Sequence, residues 1–218
     1  INYVITDVEK KRKFVCVDIH DIPEVAVVDP DMMSTMPKGL TASTGMDALT
    51  HAIEGYITKG AWEMTDMFHL KAIELIAKHL PGACENTAEG REGMALAQYI
   101  AGQGFSNVGL GIVHSMAHGL GALYDTPHGV ANAIILPIML EQYGKSIYKK
   151  LKTIAIYTNI ATVDDSEEIA SKKLITWIYD ANKEMNIPRY INDINLDDID
   201  ELAIVASKEA NPLYPVPV

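Results

Sequence analysis

From Pro37 onward the chain is written in one period. Apolar residues recur every three or four positions, the spacing that lines up one face of an α-helix. Short β-branched runs occur before that point: Tyr3-Val4-Ile5-Thr6, Lys13-Phe14-Val15-Cys16-Val17 and Val25-Ala26-Val27-Val28. These read as strands, and the polar stretch from Asp7 to Arg12 makes the first two a hairpin. Three short strands alone make a poor sheet. Residues 1–30 therefore read as the edge of a larger sheet, and the fold class as mainly α. Helices are expected over Thr41–Thr58 (capped by Thr41 or Ser43), Ala61–Leu80 (stopped by Pro81-Gly82), Arg91–Phe105 and Ile112–Leu123. Another runs from near His128 to meet Pro137, and three more cover Gln142–Thr158, Asp165–Met185 and Asp197–Glu209. The tail from Asn211 to Val218 holds three prolines and cannot continue a helix.

Composition narrows the function classes. Of 218 residues 48% are hydrophobic and 22% charged, an ordinary globular balance that can bury a core without disulfide staples. The two cysteines, Cys16 and Cys84, stand in no redox or metal spacing, so they read as reduced thiols in the cytoplasm. A net charge of −11 without a basic face speaks against nucleic acid. The segment Glu9-Lys10-Lys11-Arg12-Lys13 is short enough to be a solvated turn. No apolar run approaches the roughly 18 residues of a membrane span, and the opening INYVITD has no secretory pattern.

Three segments carry chemistry. In Gly45-Met46-Asp47-Ala48-Leu49-Thr50-His51, the carboxylate and the imidazole lie four residues apart, one turn along one helix face. In Gly111-Ile112-Val113-His114-Ser115-Met116-Ala117-His118-Gly119, two histidines share a face among apolar and small residues. A buried imidazole there needs a partner. In Thr126-Pro127-His128-Gly129, a histidine opens a helix. One Asp and three or four His, with no thiolate, form a nitrogen and oxygen donor set. That set suits iron(II), zinc or manganese and speaks against a structural zinc cluster.

These segments resemble the iron-containing, or group III, alcohol dehydrogenases. The match runs through Asp29-Pro30, Met36-Pro37, Thr41-x-x-x-Gly45-Met46-Asp47-Ala48-Leu49-x-His51-Ala52-Ile53-Glu54, His114-x-x-Ala117-His118 and Pro127-His128-Gly129. Within the family, His51 to Trp62 and Gly104 to Gly111 resemble the members that act on lactaldehyde and propane-1,2-diol.

The resemblance implies a two-domain enzyme with its active site in the cleft between an α/β dinucleotide-binding domain and a helical metal-binding domain. It implies Asp47, His51, His114 and His128 as ligands of iron(II), with zinc in some members. It places His118 beside the nicotinamide as cofactor contact, and Phe105 at the substrate pocket; standing four residues from His114, His118 is also the expected proton relay. Residues 1–30 would belong to the dinucleotide-binding domain, and residues 31–218 would be the metal-binding domain, cut short at its C-terminal end. The family's glycine-rich phosphate-binding segments do not occur in this sequence, and Gly119 stands where many relatives carry Pro or Ala. A fragment with this content would bind metal without turning over.

The expected reaction interconverts a small primary alcohol or diol and its aldehyde with NAD(H), in an enzyme expected to be a homodimer. Two other readings stay open: a stand-alone metal-binding helical module, and a metal-dependent hydrolase using Glu54 or His118 as general base.

Overall fold

The computed structural model describes residues 2–192 and 194–210; the proline-rich tail from Asn211 lies outside them. The expected hairpin is present. β1 (Asn2–Asp7) pairs antiparallel with β2 (Arg12–Val17) in a register that sets Ile5 opposite Phe14 and Asp7 opposite Arg12. The Asp7 carboxylate closes the turn by accepting from the Lys10 amide at 3.0 Å.

The third expected strand does not form. Val25 to Val28 join no sheet among the described residues, and Val25 and Val27 are exposed. A β-branched run becomes a strand only where a neighbour can take its hydrogen bonds. Asp29-Pro30, directly after that run, starts a short 3-10 turn at Pro30–Met33. The Asp29 carboxylate caps this turn by accepting from the Asp31 amide.

Eight α-helices follow among the described residues: α1 (Lys38–Ile57), α2 (Glu63–Cys84), α3 (Ala88–Phe105), α4 (Ile112–Tyr124), α5 (His128–Tyr143), α6 (Tyr148–Tyr157), α7 (Glu167–Glu184) and α8 (Ile199–Glu209). Mainly-α architecture is as expected, with corrections at the helix ends. Neither Thr41 nor Ser43 caps α1. The helix starts three residues earlier, behind Pro37, and both hydroxyls bond backward to the carbonyls of Pro37 and Leu40. Pro81 does not stop α2, because Leu80, Ala83 and Cys84 continue its buried face and that packing outweighs the lost backbone bond. The single helix expected over Gln142–Thr158 is two. Gly144, at φ +51°, ends α5, and a 3-10 turn leads into α6.

α5 runs through Pro137 and is buried over most of its circumference, which makes it the central helix of the bundle. It packs on α1, α4 and α7, while α2 and α3 close over α1. Arg91, buried on α3, ties that helix to the start of α1 through the Thr41 hydroxyl at 2.8 Å and the Met36 carbonyl at 2.9 Å. β2 rests on α4, so the hairpin overhangs one end of the bundle. No helix among the described residues is long and apolar enough to cross a membrane.

Candidate metal centre

Three helices converge where their polar residues meet. α1 presents Asp47 and His51, α4 presents His114 and His118, and α5 presents His128 from its first turn. Gly129 is what lets α5 start so close to α1. A Cβ there would stand 2.4 Å from the Ser43 carbonyl oxygen.

The donor atoms of Asp47, His114 and His128 all lie within 4.8 Å of one another. His114 Nε2 is 3.4 Å from Asp47 Oδ1, and His128 Nε2 is 3.6 Å from the same oxygen. Donors held about 2.1 Å from one tetrahedral cation sit about 3.4 Å apart. The three side chains thus stand at the spacing of ligands around a single ion. His114 Nε2 is buried and has no hydrogen-bond partner. A buried imidazole nitrogen that meets only a carboxylate, at 3.4 Å, is costly unless a proton or a metal cation occupies the gap.

Glu54 fixes which nitrogen faces that gap. Its buried carboxylate accepts from the amides of Gly111 at 3.0 Å and Val113 at 2.8 Å, and it bonds His114 Nδ1 at 2.7 Å. One acidic side chain from α1 thereby caps the N-terminus of α4, where negative charge is favoured, and points His114 Nε2 inward. Gly111 must be glycine for this approach, since a Cβ would lie 2.1 Å from Glu54 Oε1. Asn132, one turn into α5, donates to Asp47 Oδ1 at 2.5 Å and stands 3.1 Å from His128 Nε2.

Electrostatics follow from the packing. Burial pushes the Asp47 carboxyl up, but His114, His51 and His128 around it prevail and hold it well below the usual carboxylate range. Burial pushes His51 down to about 3, with the positive charge of His114 helping, and pushes His128 down to about 4. Both are therefore neutral imidazoles, the form that binds metal. His114 is opposed by burial yet raised to about 9, because it lies between the carboxylates of Asp47 and Glu54. A cation bound at Nε2 would take the place of that proton.

The remaining expected residues surround the trio. His51 stands outside the 4.8 Å group. Its ring stacks on Phe105 (centroids 4.6 Å, 16°) and leans on His114 at 4.3 Å. His118, buried, stacks on His128 at 5.2 Å and 13°, and its Nδ1 contacts the carboxylate of Glu209 on α8. His51, Phe105, His114, His118 and His128 all line one cavity of about 360 Å³, roofed by Tyr3 and Val15 of the hairpin.

Three residues of this site escaped sequence reasoning. Glu54 was a candidate only as a general base, and it is committed to four α4 contacts instead. Its signal was available: an acid three residues after His51, on the same helix. Asn132 follows His128 by one turn, a spacing as informative as Asp47/His51. Glu209 lies 91 residues from His118, and no local pattern marks it.

Comparison with known proteins identifies the family. The family model described as the Fe-containing alcohol dehydrogenase family, C-terminal, matches residues 41–215. Lactaldehyde reductase of Escherichia coli (strain K12) is 52% identical over 208 residues, covering 94% of this chain and 54% of that protein. 1,3-Propanediol dehydrogenase of Klebsiella pneumoniae is 41% identical over 217 residues, covering 95% and 55%. The solved alcohol dehydrogenase from Oenococcus oeni superposes with a TM-score of 0.93 at 35% identity, covering 99% of this chain and 57% of that one. The chain spans about half the length of the curated relatives it matches. This chain belongs to the iron-containing alcohol dehydrogenase family.

Proposed function

We propose that this chain is the metal-binding half of an NAD-dependent oxidoreductase that interconverts a small primary alcohol or diol and its aldehyde. In this reading residues 31–218 form the metal-binding domain, and residues 1–30 belong to the cofactor side of the cleft. The observation that carries the reading is the buried, inward-facing His114 Nε2, without a hydrogen bond, in a trio of donors with Asp47 and His128 all within 4.8 Å of one another. Asp47, His114 and His128 hold the ion, with His51 as fourth ligand from the adjoining turn of α1. Iron(II) or zinc bound there would supply positive charge beside the substrate oxygen, and NAD would supply the hydride-transfer chemistry.

The chain's own residues do the rest. Glu54 holds His114 in one orientation, so the site needs little rearrangement when it fills. Phe105 and the hairpin wall off water on the apolar side of the cavity. His118, held at Nδ1 by Glu209, carries the alcohol proton away through its other ring nitrogen. The cavity has room for a small alcohol, in keeping with relatives named for lactaldehyde and 1,3-propanediol.

The hydrolase alternative is less well supported, because Glu54, one of its two candidate bases, is fully engaged by α4. The test is turnover of propane-1,2-diol by the whole protein loaded with iron(II), followed by reduction of NAD. His118→Ala should keep its metal and lose turnover about 100-fold or more. Metal loss in that variant would make His118 a ligand. Ester or amide hydrolysis without nicotinamide reduction would overturn the dehydrogenase reading.

A further inference from the structure

Behind the metal site lies a histidine that the reaction does not use. His69 on α2 is fully buried, and neither ring nitrogen has a hydrogen-bond partner. A buried imidazole with both nitrogens unpaired is costly, so another gain must hold it there. Its neighbours supply one. On one side it meets Gly55 of α1, where a Cβ would stand 2.3 Å from His69 Nε2. On the other it meets Gly104 of α3, where a Cβ would stand 2.4 Å from the same atom. The ring thus fills the space that a side chain would need on both flanking helices.

Those two glycines are adjacent in sequence to two residues of the site. Gly55 follows Glu54, which orients His114 and caps α4. Gly104 precedes Phe105, on which His51 stacks. We propose that His69 is a positioning residue, a wedge whose bulk sets the separation of α1 and α3 and thereby where Glu54 and Phe105 stand. Its nitrogens are incidental; its volume is the function. Packed cores transmit displacements of this kind because they hold few voids to absorb them. The inference rests on the reading of the trio as a metal site, and the test separates the two.

The experiment compares wild type, His69→Ala and His69→Phe. The phenyl ring keeps the wedge and removes the unpaired nitrogens. Two readouts are taken. The first needs no metal: hydrogen exchange of the Gly111 and Val113 amides, which donate to Glu54, measured against amides of the distant α7. The second is cobalt(II) affinity and the visible spectrum of the loaded site. In His69→Ala the Gly111 and Val113 amides should lose protection relative to α7, and cobalt(II) should bind about 10 to 100-fold more weakly with an altered spectrum. His69→Phe should restore both. If His69→Ala shifts all amides equally and leaves affinity unchanged, the residue is ordinary core and the proposal falls. If a folded His69→Phe behaves like His69→Ala, the nitrogens matter and the wedge is wrong. Wild type that takes up no cobalt(II) would instead overturn the metal reading, while the exchange comparison would still decide the role of His69.

Discussion

At the scale of single residues the site is organised by Glu54. One carboxylate satisfies the start of α4 and sets the ring of His114, so helix capping and the orientation of that imidazole are the same interaction. Replacing it with Gln keeps the shape and halves the acceptor capacity. Glu54→Gln should fold yet bind metal about 10 to 100-fold more weakly, as read by competition with a chelator. Unchanged affinity would show that His114 needs no such support. The metal-binding candidates themselves were legible in the sequence, because Asp47/His51 and His114/His118 fall at helical spacing and His128 opens a helix. Geometry separated the close trio from His51 and His118, and spacing alone could not. Glu209 was illegible for a physical reason: its partnership with His118 is tertiary and joins elements far apart in the chain.

At the scale of elements the helical period predicted every α-helix but misjudged their ends. Pro81 and Pro137 read as stops because proline lacks a donor, yet both lie inside helices. Each helix carries enough buried apolar surface on both sides of the proline to hold it in register. Gly144 read as one residue within a long amphipathic run, and its left-handed backbone splits that run into α5 and α6. The valines of residues 25–28 carry strong strand propensity and form no strand, which shows how far β structure depends on a partner. The hairpin had its partner in the next segment, so its pairing was readable from local sequence alone.

At the scale of the whole molecule, several buried titrating groups pull stability in opposite directions. His51, His69 and His128 have pKa values pushed below their ordinary 6.5, chiefly by burial. Their unfolded forms take up protons first, so the stability they contribute is complete above about pH 6.5 and is lost as pH falls toward 3 to 4. His114 is raised to about 9 by its two carboxylates. Its contribution is complete below about pH 6.5 and is lost as pH rises toward 9. The metal-free protein should therefore show its highest melting temperature near pH 6.5, falling on both sides. Added metal should flatten the alkaline limb, since a cation replaces the His114 proton. Thermal melts across pH with and without a chelator check this, and a metal-free optimum above pH 9 would contradict it. The central claim is that α1, α4 and α5 converge to hold one ion. A zinc-soaked crystal with an anomalous difference map tests it most directly. The account predicts one strong peak per chain, bonded to Asp47, His51, His114 and His128. A peak bonded to Glu54 or His118 in place of these residues, or no peak in the cavity at all, would contradict it.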